Sequence, residues 1–393
     1  MHDPVVIVGM ARTPMGGFQG ELSALTAPQL GASAIRAAVE RAGIDALSVD
    51  EVLMGCVLPA GLGQAPARQA ALGAGLAQAT HCTTINKMCG SGMKSVMLAH
   101  DLLLAGSNKV MLAGGMESMS NAPYLIQKAR GGLRLGHGEI KDHLFLDGLE
   151  DAYDKGKLMG VFAELCAEQY RFSREQQDAY ARRSLERAQA AIRDGRFKNE
   201  ITAVSIAGRG GERIVDTDEQ PLKANLDKIA TLKPAFKTDG TVTAANASSI
   251  SDGAAALVLM RASEATARGL TPLARVAGHA SFAHAPAWFT TAPSGALSQL
   301  FSRTGWRAND VDLYEINEAF AVVSMAAMHD HALPAEKVNI HGGACALGHP
   351  IGASGARIVV TLLSALQQYG LKRGVATLCI GGGEATAMAF ELM

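Results

Sequence analysis

A cysteine stands directly before Gly-Ser-Gly in "INKMCGSGMKSVMLAH", Ile85 to His100, where an apolar helix begins. A helix N-terminus favours a thiolate through its free N–H groups and its dipole. Gly90 and Gly92 let a substrate come close to the backbone. Cys89 is therefore read as a nucleophile, against the bland alternative of a small buried hydrophobe. Two further residues offer matching chemistry. His349 lies in "ALGHPIGASG", a glycine-rich turn ahead of a second apolar helix, and Cys379 lies in "LCIGGGEA" at the end of the last strand. Taken singly, His349 reads equally as a loop histidine with its hydrogen bonds met, and Cys379 as core.

Elements must bring these residues together, and the chain supplies them twice. "CGSGMKSVMLAHDLLLAG" followed by "KVMLAGGMESM" parallels "GHPIGASGARIVVTLLSALQQYG" followed by "GVATLCIGGGEATAM". Each is a glycine-rich turn, an apolar helix, a buried strand and a Gly-Gly loop ending in glutamate. "VDEVLMGCV" (49–57) likewise parallels "VDLYEINEA" (311–319) as an acidic start to a buried strand. The pattern implies one α/β unit duplicated. Met93, Val96, Met97, Leu103 and Leu104 form one helical stripe, and Ile358, Val359, Leu362, Leu363 and Leu366 another. Runs such as Val110 to Leu112 lack alternation, as strands covered on both faces do. A layered α/β fold with mostly parallel sheets is expected. Halves packed about a pseudo-twofold would point two helix N-termini into one cleft, carrying a thiol and an imidazole, with Cys379 in reach.

Composition bounds the partners. The 393 residues are 48% hydrophobic and 19% charged, enough for a large core, with net charge −1. The pI of about 6.8 excludes broad binding to nucleic acid or anionic membranes, though not a local basic patch for a phosphorylated ligand. Between 121 and 247 lie 20 of the 36 Lys and Arg and 19 of the 37 Asp and Glu, so this stretch reads as a more exposed insertion between apolar halves. Six cysteines without a CxxC pair, and no leader-like N-terminal stretch, point to free thiols and the cytoplasm. No run of 18 apolar residues is present to span a membrane. Competing motifs fail. "GGACALGH" lacks the lysine of a phosphate loop, no GxGxxG follows the first strand, and no GxSxG occurs. Cys345 and His349 are four apart, yet no second ligand pair accompanies them, so no metal is expected.

Six blocks carry a resemblance: "NKMCGSGMKS", "AGGMESMSNAPY", "DGTVTAANASSISDGAAA", "NEAFA", "GGACALGHPIGASGAR" and "CIGGGEA". Together, in this order and end to end, the chain resembles the thiolases, most of all their acetyl-CoA C-acetyltransferase branch. The resemblance implies duplicated α/β halves in an α-β-α-β-α arrangement. These would be 1–120, completed by 248–270, and 271–393, with an inserted loop domain at 121–247 that binds coenzyme A. It implies a reversible ping-pong Claisen condensation of two acetyl-CoA to acetoacetyl-CoA and CoA through an acyl-cysteine. Coenzyme A thioesters would be substrates, and no cofactor would be bound permanently. A homotetramer, a dimer of dimers, is also implied, with 131–145 as a contact segment.

Residue roles follow from the same resemblance. Cys89 is the nucleophile, His349 its activating base, and Cys379 the proton-transfer group. His349 and a water held by Asn317 surround the thioester oxygen, although Asn317 in "NEAFA" also reads as an ordinary helix N-cap. Backbone N–H groups of Cys89 and Gly381 form an oxyanion hole. Ser248 contacts pantetheine, with Leu149, Met159, Phe236, Ala319 and Phe320 along its tunnel. The chain departs from the family at Leu158, where a histidine is common, and near Lys223, the nearest basic residue to a usual arginine. Phe289 stands where many members have methionine, as in some that handle 2-methyl-branched chains. A longer-chain 3-ketoacyl-CoA thiolase, or a silent acyl-CoA-binding protein on the same fold, are the alternatives. The second is disfavoured by the intact Cys89, His349, Cys379 and Asn317 set.

Overall fold

The apolar runs form strands whose connections dictate how they pair. In a computed structural model, which describes residues 3–208 and 211–393, Glu51–Gly55 runs parallel to Val110–Ser118. In the second half Leu313–Ile316 runs parallel to Arg373–Ile380. Val110–Ser118 and Arg373–Ile380 then pair antiparallel with the long strands Ser251–Arg261 and Glu384–Leu392. Those in turn flank the opening strand of each half, Val5–Arg12 and Ala274–Ala283. The opening strands meet antiparallel, Val6 opposite Arg275 and Ile7 opposite Ala274. The result is one ten-stranded sheet with nearly the same order from either end. Register shifts repeat too, at Ile7/Gly9 and at Val276/Gly278. The exception is the edge strand His81–Ile85, which the second half replaces by a single bridge from Tyr314 to Val338.

The sheet is mixed, which corrects the expectation of mostly parallel pairing. Only three residues separate Arg373–Ile380 from Glu384–Leu392, and so short a connection permits an antiparallel hairpin alone.

Side chains alternate between two buried faces. Val6 and Val8 pack with the helices Ala27–Ala42 and Pro66–Gly73. Val5 and Ile7 pack with Ser91–Ala105 and Ile351–Tyr369, which also receive Leu378, Met388 and Phe390 from the second half. Ala385, Ala387 and Ala389 face the helix Ala292–Thr304. With one sheet-half to each side of the central helices, the order is helix, first half of the sheet, paired helices, second half of the sheet, helix, an α-β-α-β-α arrangement. The central helices touch backbone to backbone. A Cβ on Gly92 would lie 2.8 Å from the Ala356 nitrogen, and one on Gly355 only 2.4 Å from the Met93 nitrogen. Residues 121–247 add no strand to the main sheet among the described residues, and contribute the helices Met159–Tyr170 and Arg174–Arg193. Arg12, fully buried on the first strand, reaches Glu200 at 2.6 Å and Asp218 at 2.7 Å, tying this segment down.

Candidate active site

Cys89 sits in a tight turn between the strand His81–Ile85 and the helix Ser91–Ala105. Met88 takes a left-handed conformation (φ 46°), which costs a non-glycine residue about 1–3 kcal/mol and must be held in place. Its N–H donates to Asn86 Oδ1 at 2.9 Å. Ser91 Oγ donates to the Met88 carbonyl at 2.6 Å and accepts from the Lys87 N–H at 2.8 Å. Gly90 is the N-cap, so Cys89 precedes the helix rather than opening it. Burial pushes the thiol up to about 11, against the opposing pull of the N–H groups of Gly381 and of Cys89 itself. Desolvation outweighs the helix terminus, and the group rests as a thiol that needs a base to take its proton.

His349 occupies the matching place ahead of Ile351–Tyr369. Burial, helped by the buried Arg357 on that helix, lowers its pKa to about 3, so it is a neutral imidazole. Nδ1 lies 2.6 Å from Ser354 Oγ, and Ser354 Oγ donates to the Pro350 carbonyl at 2.9 Å. A hydroxyl has one proton and a carbonyl only accepts, so Nδ1–H donates to the serine. That leaves the lone pair on Nε2, which is buried with no partner among the described residues. The ring is oriented as a proton acceptor.

Cys379 is buried at the end of Arg373–Ile380, and burial raises its thiol well above the usual range, with Cys89 adding to the effect. Asn317 does not cap a helix: the next one starts at Ala321 with Phe320 as N-cap. Instead its Nδ2 lies 3.4 Å from His349 Nδ1, and its buried Oδ1 has no partner among the described residues.

Cys89, His349, Cys379 and Gly381 open into one cavity of about 360 Å³, in the range of small-ligand sites. Ser248, Leu149, Met159, Phe236, Ala319 and Phe320 line it as well. Leu158, at the N-cap of Met159–Tyr170, also lines it, in place of the histidine common in the family. Phe289 is buried in its wall, its ring centroid 6.4 Å from that of Phe320. Among the described residues, no charged side chain lines this cavity. Lys223 is not brought here. In the short helix Glu219–Lys223 it turns back onto Glu219, whose carboxylate also holds the N–H groups of Gly17 and Glu21. Lys228 lies in a neighbouring depression that shares Ala244 and Ser249 with the cavity.

Three supporting groups escaped sequence reasoning. Ser354 orients His349. Glu117 is fully buried and accepts from the N–H groups of Val57 (2.9 Å), Leu58 (3.1 Å) and Gly352 (2.9 Å). Burial pushes its pKa up to about 7. Glu384, its counterpart in the duplication, pairs with Lys87 two residues before Cys89. Each half's strand-end glutamate therefore grips the reactive loop of the other half. The signal was present in the two Gly-Gly loops that both end in glutamate, but the crossing is a property of the packed halves.

This pseudo-symmetric pairing of a cysteine turn with a histidine turn, built on a duplicated layered sheet, defines a class. Residues 5–263 match the thiolase N-terminal domain and 270–392 the thiolase C-terminal domain, and the chain belongs to the thiolase family. Acetyl-CoA acetyltransferase 1 of Arabidopsis thaliana is 53% identical over 393 residues, 99% of this chain and 94% of that protein. The acetyl-CoA acetyltransferase of Escherichia coli (strain K12) is 50% identical over 389 residues, 98% of each chain. The crystal structure of the Bacillus anthracis acetyl-CoA acetyltransferase superposes with a TM-score of 0.97 at 40% identity, covering 100% of this chain and 99% of that one.

Proposed function

We propose that the chain is an acetyl-CoA C-acetyltransferase that catalyses the reversible condensation of two acetyl-CoA to acetoacetyl-CoA and CoA. The observation that carries the reading is the uncharged cavity into which Cys89, His349, Cys379 and Gly381 all open. Relatives about half identical over nearly their full length bear that name.

The resting protonation states suit the steps. Cys89 Sγ attacks the acetyl-CoA carbonyl carbon while His349 Nε2 takes the thiol proton. The bond to the CoA sulfur breaks, and that sulfur leaves with the proton of Cys379. The acyl-enzyme then stands beside a Cys379 thiolate and a His349 imidazolium. Cys379 removes an α-proton from a second acetyl-CoA, and the imidazolium stabilises the enolate oxygen. Asn317, with its unpartnered amide oxygen, holds the water beside that oxygen. The enolate carbon attacks the acyl carbonyl, and the Cys89 sulfur departs with the proton of His349. All three groups are back at their starting states. The N–H groups of Cys89 and Gly381 hold the acyl oxygen, a role in which one donor is worth about 2.7–4 kcal/mol.

The apolar tunnel suits pantetheine: Ser248 supplies a polar contact, and Leu149, Met159, Phe236, Ala319 and Phe320 the walls. On this reading 1–120 with 248–270, and 271–393, carry the chemistry, and 121–247 holds the outer part of coenzyme A. Lys228 replaces Lys223 as the cation for its phosphates. Phe289 packs in the same cluster as Cys379 and shortens the acyl end, which favours acetoacetyl and 2-methylacetoacetyl groups over long chains. Tyr124, Ile126, Leu133, Leu135 and Ile140 are exposed apolar side chains of one segment, which suits a tetramer contact there. The mainly uncovered edge strand His81–Ile85 suits a dimer contact. No helix among the described residues is long and apolar enough to cross a membrane, and six free cysteines support a cytoplasmic location. Thiolysis rates with acetoacetyl-, 2-methylacetoacetyl- and 3-ketooctanoyl-CoA test the reading. Fast turnover of the first is expected, and a preference for the third would refute it.

A further inference from the structure

We propose that His100, Asp101 and His279 bind one divalent transition-metal ion of the zinc, cobalt and nickel class, strapping the helix Ser91–Ala105 to the opening strand of the second half. Asp101 Oδ1 lies 3.0 Å from His100 Nδ1 and 2.8 Å from His279 Nε2. One ligand atom from each of the three residues falls within 4.8 Å of the others. The two imidazole rings stand edge to face with centroids 5.0 Å apart.

This convergence needs a cause. Successive side chains on a helix point about 100° apart, yet His100 and Asp101 approach to 3.0 Å beside a third group. That group comes from 178 residues away, on the strand Ala274–Ala283, whose backbone is pinned there by Arg303 Nη1 donating to the His279 carbonyl at 2.9 Å. Spacing in the sequence could not show it, which is why a search for cysteine and histidine pairs expected no metal.

The chemistry fits a borderline cation. Two imidazole nitrogens and one carboxylate oxygen leave open positions for water, and nitrogen donors select against calcium and magnesium. Tetrahedral coordination at ordinary bond lengths sets ligand atoms about 3.4 Å apart, so the two contacts to Asp101 open by about half an ångström while the two imidazole nitrogens, within 4.8 Å of each other, settle at the same spacing. Binding needs a lone pair at the coordinating nitrogens. The second ring offers Nε2, which already lies 2.8 Å from Asp101 Oδ1. His279 Nδ1 is buried without a partner among the described residues. The imidazoles are only 13% and 14% exposed while Asp101 is 50% exposed, which leaves the ion a way in from solvent.

The test is titration of the purified, chelator-treated protein with Co²⁺ and Zn²⁺, followed by calorimetry, the visible cobalt spectrum and the melting temperature. One equivalent of binding and a concentration-dependent rise in melting temperature are expected. His279→Ala and His100→Ala should each weaken binding at least about tenfold. Asp101→Asn, at a half-exposed site, should do the same with its metal-free melting temperature lowered only slightly, which guards against a variant that merely misfolds. Absence of stoichiometric binding would overturn the proposal. So would binding that survives in all three variants, which would place the ion on the cysteines.

Discussion

Ser354 Oγ lies 2.6 Å from His349 Nδ1 and makes its other hydrogen bond to the carbonyl of Pro350. The serine thereby sets which nitrogen of the His349 imidazole faces the cavity. Ser354→Ala removes one neutral hydrogen bond and frees the ring to take the wrong tautomer. A loss in kcat of up to about tenfold, with KM little changed, is expected from a hydrogen bond worth about 0.5–1.5 kcal/mol. Ser354→Thr should restore most of it. If kcat holds and only the melting temperature falls, Ser354 is structural.

The raised thiol of Cys89 and the lowered imidazole of His349 together make a neutral resting pair. A thiolate–imidazolium pair would instead react at a constant rate down through acidic pH. Alkylation of the free enzyme by iodoacetamide should therefore accelerate with pH, by about tenfold per unit, through the alkaline range below the Cys89 pKa. A plateau spanning neutral and mildly acidic pH would show that the ion pair exists at rest.

Packing of the central helices carries the site as well as the core. A methyl group on Gly355 meets the Met93 backbone, which cannot swing aside as a side chain would. Gly355→Ala should cost about 1–3 kcal/mol, seen as a lower midpoint in urea, and should reduce activity more than stability by spreading Cys89 from His349. Unchanged stability would mean that the helices separate freely.

Lys228 and Lys223 differ in their surroundings, and that difference is measurable. Lys228→Ala should raise KM for CoA roughly fivefold, the effect of about 1 kcal/mol from a partly exposed charge. Lys223→Ala should leave KM unchanged and lower the melting temperature slightly. The reverse pattern would return the phosphate contact to Lys223.

Much of this was legible in the chain. The duplicated blocks pointed to two helix N-termini meeting, and Cys89, His349 and Cys379 do line one cavity. What escaped depends on packing. Burial, which no motif displays, decides the charge state of Cys89. The antiparallel pairings of Ser251–Arg261 and Glu384–Leu392, the second through the tight hairpin at Gly381 to Gly383, make the sheet mixed. Lys223 looked like the nearest cation, but a turn of helix folds it back onto Glu219. Ser354 sits five residues after His349, within the first turn of its helix, and its role appears only when the proton of its hydroxyl is followed.

The two cysteines should fail differently when replaced. Cys379→Ser should still acquire an acetyl group from acetyl-CoA, more slowly, and should lose α-proton exchange by about 10²–10⁴-fold. Cys89→Ala should form no acyl-enzyme and should keep only slow exchange, because Cys379 and His349 remain but lack the charges that acylation gives them. Exchange at the wild-type rate in Cys379→Ser would move the base to His349.

The central claim is that Cys89 carries the acyl group. The most direct measurement is mass spectrometry of peptides from wild-type protein quenched in acid after mixing with acetyl-CoA. One acetyl group on the peptide bearing Cys89, and none in Cys89→Ala, is the expected result. An acetyl group on Cys379 or Cys345 with Cys89 unmodified, or condensation activity with no covalent intermediate on any cysteine, would contradict it.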